Sequence, residues 1–206
     1  MNKCKNLLRK GLSKMPCGIR PLLGHFLLTS SGTADIIDAG ATIKKLMVLP
    51  KSLSSGNEKE IIFQAFSIMP VISEFQIEAA VEQTFSAFEG KNNILSRPSL
   101  EFLLRLSGKR ELNDALDACG LKNGKQGICI AIFAGTKEEC FGLYEKAAEI
   151  LCFKEDETLF EKNFKKNKSK IRELFEIPAG KFKGPEEKKL AESFAIEKTA
   201  LLSLGD

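Results

Sequence analysis

The sequence predicts an α+β fold in a single domain: a small mixed or antiparallel β-sheet packed with about five or more helices. Three observations lead there. Two short apolar runs rich in β-branched and aromatic residues, Ile61–Phe66 and Ile128–Phe133, stand far apart in the chain. Consecutive segments of helical periodicity lie between them and after them, which argues against a regular strand–helix alternation. A chain of 206 residues with 43% hydrophobic residues can also bury a sizeable core without disulfide or metal staples.

Taken in order, His25 to Thr29 reads as a short strand. Ser30-Ser31-Gly32-Thr33 reads as a turn, from its small polar residues around a glycine. Residues 36–50 carry no decisive period. Ser52 to Asn57 forms a polar loop, and Ile61 to Phe66 a buried strand whose region ends at Pro70. From Ser73 the period changes. Ile77, Val81, Phe85 and Phe88 recur at helical spacing, and Gly90 stands where a helix C-cap belongs. Pro98 opens a second helix, where its missing N–H costs nothing, with Leu100, Leu103, Leu104 and Leu106 on the apolar face and Gly108 as the interruption. Glu111 to Cys119 makes a third helix, with Leu112, Leu116 and Cys119 inward and Gly120 as its stop. The second and third helices form a tight pair. Ile128 to Phe133, apolar throughout, fits a central strand covered on both faces, beside Ile61–Phe66. Thr136 has the character of an N-cap, with Glu138 and Glu139 in the first turn of a helix that points Cys140, Leu143, Tyr144, Ala147, Ile150 and Leu151 one way. Lys154 to Arg172 is charge-rich, and Lys165, Lys166, Lys168, Lys170 and Arg172 follow one another without an acid, as an exposed basic face. Pro178 to Pro185 is a loop. Glu186 to Leu202 is a terminal helix bearing Leu190, Phe194, Ile196, Ala200, Leu201 and Leu202.

The net charge of +4 is unevenly spread. Lys3, Lys5, Arg9, Lys10, Lys14 and Arg20 precede the first acid, Asp35, so the rest of the chain is close to neutral. Residues 1–21 read as a basic extension without fixed structure, with a nucleic-acid arm and a transit peptide as the alternatives. No window approaches the roughly 18 uninterrupted apolar residues of a membrane span, and the start lacks the apolar core of a secretory signal. Six cysteines, at positions 4, 17, 119, 129, 140 and 152, form no CxxC pair and have no histidine at a ligand spacing, which argues against zinc. Cys129, Cys140 and Cys152 lie among apolar neighbours as small core hydrophobes. That pattern suits the reducing cytoplasm, with the nucleus also open to a eukaryotic protein.

Catalytic chemistry has little to rest on. His25 is the single histidine and lies in an apolar strand beside Phe26, so its role reads as structural. No phosphate-binding glycine loop, dinucleotide fingerprint, G-x-S-x-G, H-E-x-x-H or paired-carboxylate motif appears. The sequence therefore predicts no catalytic residue, cofactor or metal. Glu155-Asp156-Glu157 and Glu186-Glu187 read as solvated charge at helix starts. Binding is better served, because Lys91, Arg97, Arg105, Lys109 and Arg110 fall at helix ends and in loops where cations can meet phosphates. Phe75, Phe85, Phe88 and Phe102 could stack on bases, although their helical spacing fits core packing.

The stretch Ile94 to Leu121 resembles the signature of the kinase-binding subunit of the KEOPS complex, in its archaeal type. There a helix reading S-L-E-x-L-L-x-L-S-G is followed by T-R-Q-I and a second helix ending in glycine. Ser99-Leu100-Glu101, Leu103-Leu104, Leu106-Ser107-Gly108 and Arg110 stand in those places, while Lys109, Glu111 and Leu112 replace the T, Q and I. Gln64-Ala65-Phe66, residues 80–94 and Phe194–Leu204 are similar to further parts of the family, so the resemblance covers 22–206 and leaves the extension outside. Met69, Gln76 and Ser86 stand where the family usually has an acid, a histidine and an arginine.

The resemblance implies a non-catalytic subunit of the assembly that makes threonylcarbamoyladenosine in tRNA. Its expected partners are the small atypical, RIO-like kinase of the complex, the 3′ CCA end of tRNA and, indirectly, the catalytic ATPase subunit. For the kinase the candidates are Phe194, Ile196, Leu201 and Leu202, because the terminal helix has more apolar positions than one buried face uses. For tRNA they are Arg110, Lys109, Arg105 and Lys91. Arg110 comes first: it matches the family's arginine, and a cation at a helix start gains nothing from the dipole. The alternative is a pure kinase-binding scaffold without tRNA binding.

Overall fold

A hairpin of β1 (Ile19–Leu22) and β2 (His25–Ile36) opens the fold in the computed structural model, which describes residues 18–50, 61–178, 184 and 186–202. The remaining elements are α1 (Ala39–Met47), β3 (Ile62–Ser67), α2 (Glu74–Glu89), α3 (Pro98–Ser107), α4 (Leu112–Cys119), β4 (Gly124–Ala134), α5 (Lys137–Leu151), β5 (Lys154–Glu155), α6 (Leu159–Leu174) and α7 (Glu187–Leu201). The class is α+β, as the sequence predicts. The chain divides into two compact units: one holds the residues up to Ala65 together with Leu121–Glu157, the other Phe66–Gly120 and the residues from Thr158 onward.

The first unit is the sheet with two helices. Strand order is β1-β2-β4-β3, with β5 also paired to β2. Strands β2 and β4 run antiparallel in unbroken register from Phe26 opposite Ala134 to Ile36 opposite Gly124. Ile128 to Ala134 are all buried, as a strand covered on both faces requires. Leu28, Ile130, Ile132, Cys140, Leu143, Tyr144 and Ala147 belong to one core with Leu46, Leu49 and Phe63. Thr136 caps α5 through a full capping box with Glu139, and Asp38 caps α1 by accepting from the Ala41 N–H at 2.9 Å.

Three expectations change in this unit. Ser30–Thr33 is not a turn but the middle of β2, because the β5 segment satisfies its small polar side chains. Ser30 Oγ donates to Glu155 Oε1 at 3.0 Å and Ser31 Oγ to the Asp156 carbonyl at 2.9 Å. Gly32 is there for clearance, since a Cβ on it would lie 2.3 Å from the Lys154 carbonyl oxygen. Cys152, expected in the core, is exposed and ends α5 in the left-handed region at φ 48°. Cys119, Cys129 and Cys140 are buried as free thiols, while Cys4 and Cys17 lie outside the described residues. Strand β1 also begins inside the stretch read as an extension, at Ile19.

The second unit is helical. The expected helices over α2, α3, α4 and α7 are present, and α6, read only as a charged face, is a helix burying Phe160, Asn163, Phe164 and Ile171. Helical phase differs from expectation wherever small residues do the packing. In α2 the inward stripe is Ile77, Ala80, Val81, Thr84 and Ala87, with Phe85 and Phe88 half-buried, and Phe75 stands 68% exposed. In α4 Ala115 and Cys119 point in, and Leu116 is exposed. Gly90 keeps right-handed helical angles, and the left-handed residue after α2 is Lys91, at φ 56°. Gly108 does end α3 in the left-handed region, at φ 64°. The predicted loop Ser52–Asn57 and most of Pro178–Pro185 fall outside the described residues.

Candidate kinase-facing and RNA-facing surface

Helix α3 carries the longest motif in the sequence, and its Glu101, Arg105 and Ser107 side chains serve the interior. Glu101 and Arg105 are both fully buried. Glu101 Oε1 accepts from Arg105 Nε at 2.9 Å and Nη2 at 2.7 Å, while Oε2 accepts from the backbone N–H groups of Ile94 and Leu95 at 3.0 and 2.8 Å. One carboxylate thus neutralises a buried guanidinium and ties the α2–α3 link to α3. Ser107 Oγ bonds the Leu103 carbonyl at 2.8 Å, closing the helix before Gly108. Gly108 has a second duty, since a Cβ there would meet Lys198 Cγ of α7 at 3.1 Å.

Gln76 fixes how α2 and α3 pair as a helical hairpin. Its Oε1 accepts from the Ile72 N–H at 2.8 Å, and its Nε2 donates to the carbonyls of Pro70 and Leu106 at 3.2 and 3.0 Å. The start of α2 therefore meets the end of α3, and the two helices are antiparallel. Gln76 stands where the resemblance has a histidine, and here its amide is spent inside the unit.

Helix α7 packs through small residues. Ala191, Ala195 and Thr199 are its buried positions, and Thr199 Oγ1 lies 2.7 Å from both the Arg105 and Ala195 carbonyl oxygens. The larger residues are left on its flanks. At about 100° per residue, Leu190, Phe194 and Leu201 share one flank and Ile196 lies on the other. Leu190, Phe194 and Ile196 are half-buried, and Leu201 is 51% exposed. Leu202, named with them as a kinase candidate, is buried and belongs to the interior. Phe194 packs partly against Phe164, Ile171 and Phe175.

The four cations expected at RNA do not form one group. Arg105 is no surface cation: its charge faces Glu101 in the interior. Lys109 and Arg110 follow Gly108 at one end of the hairpin, half-buried and exposed respectively. Lys91, exposed, comes just after the far end of α2, whose 16 residues are about 24 Å long.

The family model of kinase binding protein CGI-121 matches residues 41–203. The chain belongs to that family. Among curated proteins none matches the chain significantly. The CGI-121 match runs from within α1 through α7 and takes in both the Glu101–Arg105 staple and the α7 flank; β1 and β2 precede it.

Elsewhere, His25 stacks on Phe133 with ring centroids 4.9 Å apart, in keeping with a structural role. Tyr144 Oη bonds Glu155, and burial together with that carboxylate pushes the phenol above its ordinary range. Among the described residues no cluster of His, Cys, Asp and Glu is arranged to hold a metal ion, and no helix is long and apolar enough to cross a membrane. The burial of Arg105 had a signal in the sequence: an acid four residues earlier, in a segment otherwise made of leucine and phenylalanine.

Proposed function

We propose that this CGI-121 family member is the non-catalytic kinase-binding subunit of a KEOPS complex in the cytoplasm, which makes threonylcarbamoyladenosine in tRNA, and that it links the small RIO-like kinase, and through it the catalytic ATPase, to the substrate. The observation that carries the reading is the flank of α7: Leu190, Phe194 and Leu201 remain wholly or partly open while alanines and a threonine make the internal contacts. A half-open apolar strip on a helix is suited to a groove or helix face on a partner. For the tRNA 3′ CCA end this reading takes Lys109 and Arg110, which are adjacent after Gly108, and leaves out Lys91, which lies too far along α2 to join them at one nucleotide.

Co-purification of the full chain with the RIO-like kinase tests this. Leu201→Asp, at an exposed position, is expected to leave the melting temperature unchanged and to weaken the complex at least about tenfold, since an aspartate there must be desolvated on docking. Undiminished binding by Leu201→Asp and by Leu190→Asp overturns the assignment of this flank. The burial of Arg105 and the distance of Lys91 from Arg110 favour a second reading, a kinase-binding scaffold without tRNA affinity. A gel shift with intact tRNA and tRNA lacking CCA, on the wild type and Arg110→Glu, decides between them.

A further inference from the structure

The exposed side of α6 is rich in cations, with Glu173 the one acid among them near its end. Lys162, Lys165, Lys166, Lys170 and Arg172 are exposed; they lie on two helical segments that meet at Asn167, whose φ of −110° and ψ of 16° break the helix, and both segments turn this arc of cations away from the core that holds Phe164 and Ile171. The opposite face, with Phe160, Phe164 and Ile171, is committed to the interior of its unit. The acids near this arc offset it only in part: Glu161 is bonded to Lys188 and also faces Lys165, Lys168 on the flank is bonded to Glu187, and Glu173 stands at the end of the helix. Among the described residues no acid pairs with Lys166, Lys170 or Arg172. Lys162 and Lys166 are spaced i, i+4 within the first segment, an arrangement that costs an isolated helix a few tenths of a kcal/mol. The helix keeps this self-repulsion although alternation with glutamate would remove it.

We infer that this face of α6 binds the phosphodiester backbone of RNA. The inference rests on the reading of the chain as a tRNA-binding subunit but uses none of the residues placed at the CCA end. Lys162 to Arg172 spans about 15 Å, and a nucleic-acid duplex offers a charge about every 1.7 Å of axis, so every cation of the arc can find a phosphate. Glu176, just past the end of α6, is within electrostatic reach of Lys109. A strand whose terminus lies at Lys109 and Arg110 can therefore continue along α6. The face has no apolar side chain to insert between lipids, which sets it apart from a membrane-surface helix. It reads phosphate, without base specificity.

The test is a gel shift of the full chain with tRNA lacking its CCA end, across 50 to 200 mM salt. The variant K165Q/K166Q/K170Q/R172Q is compared with K44Q/K45Q/K122Q/K125Q, which removes the same number of charges from exposed positions elsewhere. Circular dichroism confirms that α6 persists, since glutamine is as good a helix former as lysine. The wild-type slope of log K against log salt is expected to fall by roughly 0.7–0.9 for each cation that reaches a phosphate, up to about 3 for the four, with the control near wild type. An unchanged slope in the α6 variant, an equal loss in the control, or a wild type that does not bind the truncated tRNA overturns the inference, as does a preference for anionic vesicles over RNA. Loss of CCA dependence with α6 dependence intact instead sinks the CCA contact alone.

Discussion

Replacing Glu101 by leucine should be among the most damaging single changes in the helical unit. The substitution removes the acceptor for Arg105 Nε and Nη2 and for the N–H groups of Ile94 and Leu95. It leaves a guanidinium with no exposure to solvent and without the carboxylate that faces it. Breaking one side of a buried pair costs about 3–5 kcal/mol. With a urea dependence near 3 kcal/mol/M for a chain of this size, the unfolding midpoint should fall by about 1–1.7 M. The companion change Glu101→Leu with Arg105→Met takes both charges out of the interior and leaves the N–H groups of Ile94 and Leu95 without this acceptor. The double variant is expected to recover at least about 1 kcal/mol over Glu101→Leu alone. The reasoning fails if Glu101→Leu costs less than about 1 kcal/mol, or if the double variant is as unstable as the sum of the two single ones.

Gly32→Ala forces a Cβ to within 2.3 Å of the Lys154 carbonyl; a loss of about 1–3 kcal/mol and faster amide exchange at residues 154–156 are expected, and unchanged exchange counts against the contact. Thr136→Ala removes the capping box of α5 and should cost about 1 kcal/mol in a thermal melt. Alkaline pH should destabilise the fold. Burial raises the Cys119 thiol to about 12, whereas an unfolded thiol ionises near 8.5, so from about pH 9 to pH 12 the unfolded state holds fewer protons and stability falls by about 1.4 kcal/mol per pH unit from this group alone. Cys140, raised to about 12 mainly by burial, and Tyr144, also raised, act in the same direction. Stability that stays flat between pH 9 and 11 in urea titrations is the contrary result.

Elements with local signals were legible from the residues alone. Pro98 and Gly108 bracket α3, Thr136 and Glu139 announce α5, and the unbroken apolar run of β4 marks a strand covered on both faces. What escaped depends on partners distant in sequence. Ser30 to Thr33 has turn composition, and only Glu155 and Asp156, more than a hundred residues later, make it strand. Helical phase misled where size stood in for burial: Phe75 and Leu116 are large and exposed, while Ala80, Ala115, Ala191 and Ala195 are small and inside, because close helix approach rewards small side chains. Of the candidate site, the two apolar residues on one flank of α7 and the exposed Arg110 were named at positions the fold leaves accessible. Leu202 was not, since a leucine near a helix end carries no mark of which way it faces; Arg105 was not either, although Glu101 four residues earlier marks it as a paired interior charge.

The pairing of β2 with β4 also sets a timetable for synthesis. Ile36 is matched to Gly124, 88 residues later, and Phe26 to Ala134, later still. At about 5–20 residues per second, a ribosome takes about 4–18 s to cover the shorter of these gaps. Throughout that interval the long edge of β2 has no native partner, and residues belonging to the other unit are emerging. A nascent chain stalled before Gly124, or a fragment ending there, displays an open apolar strand edge. Holding that edge apart from other chains is then a task for the cell's chaperones until the second half of the sheet arrives.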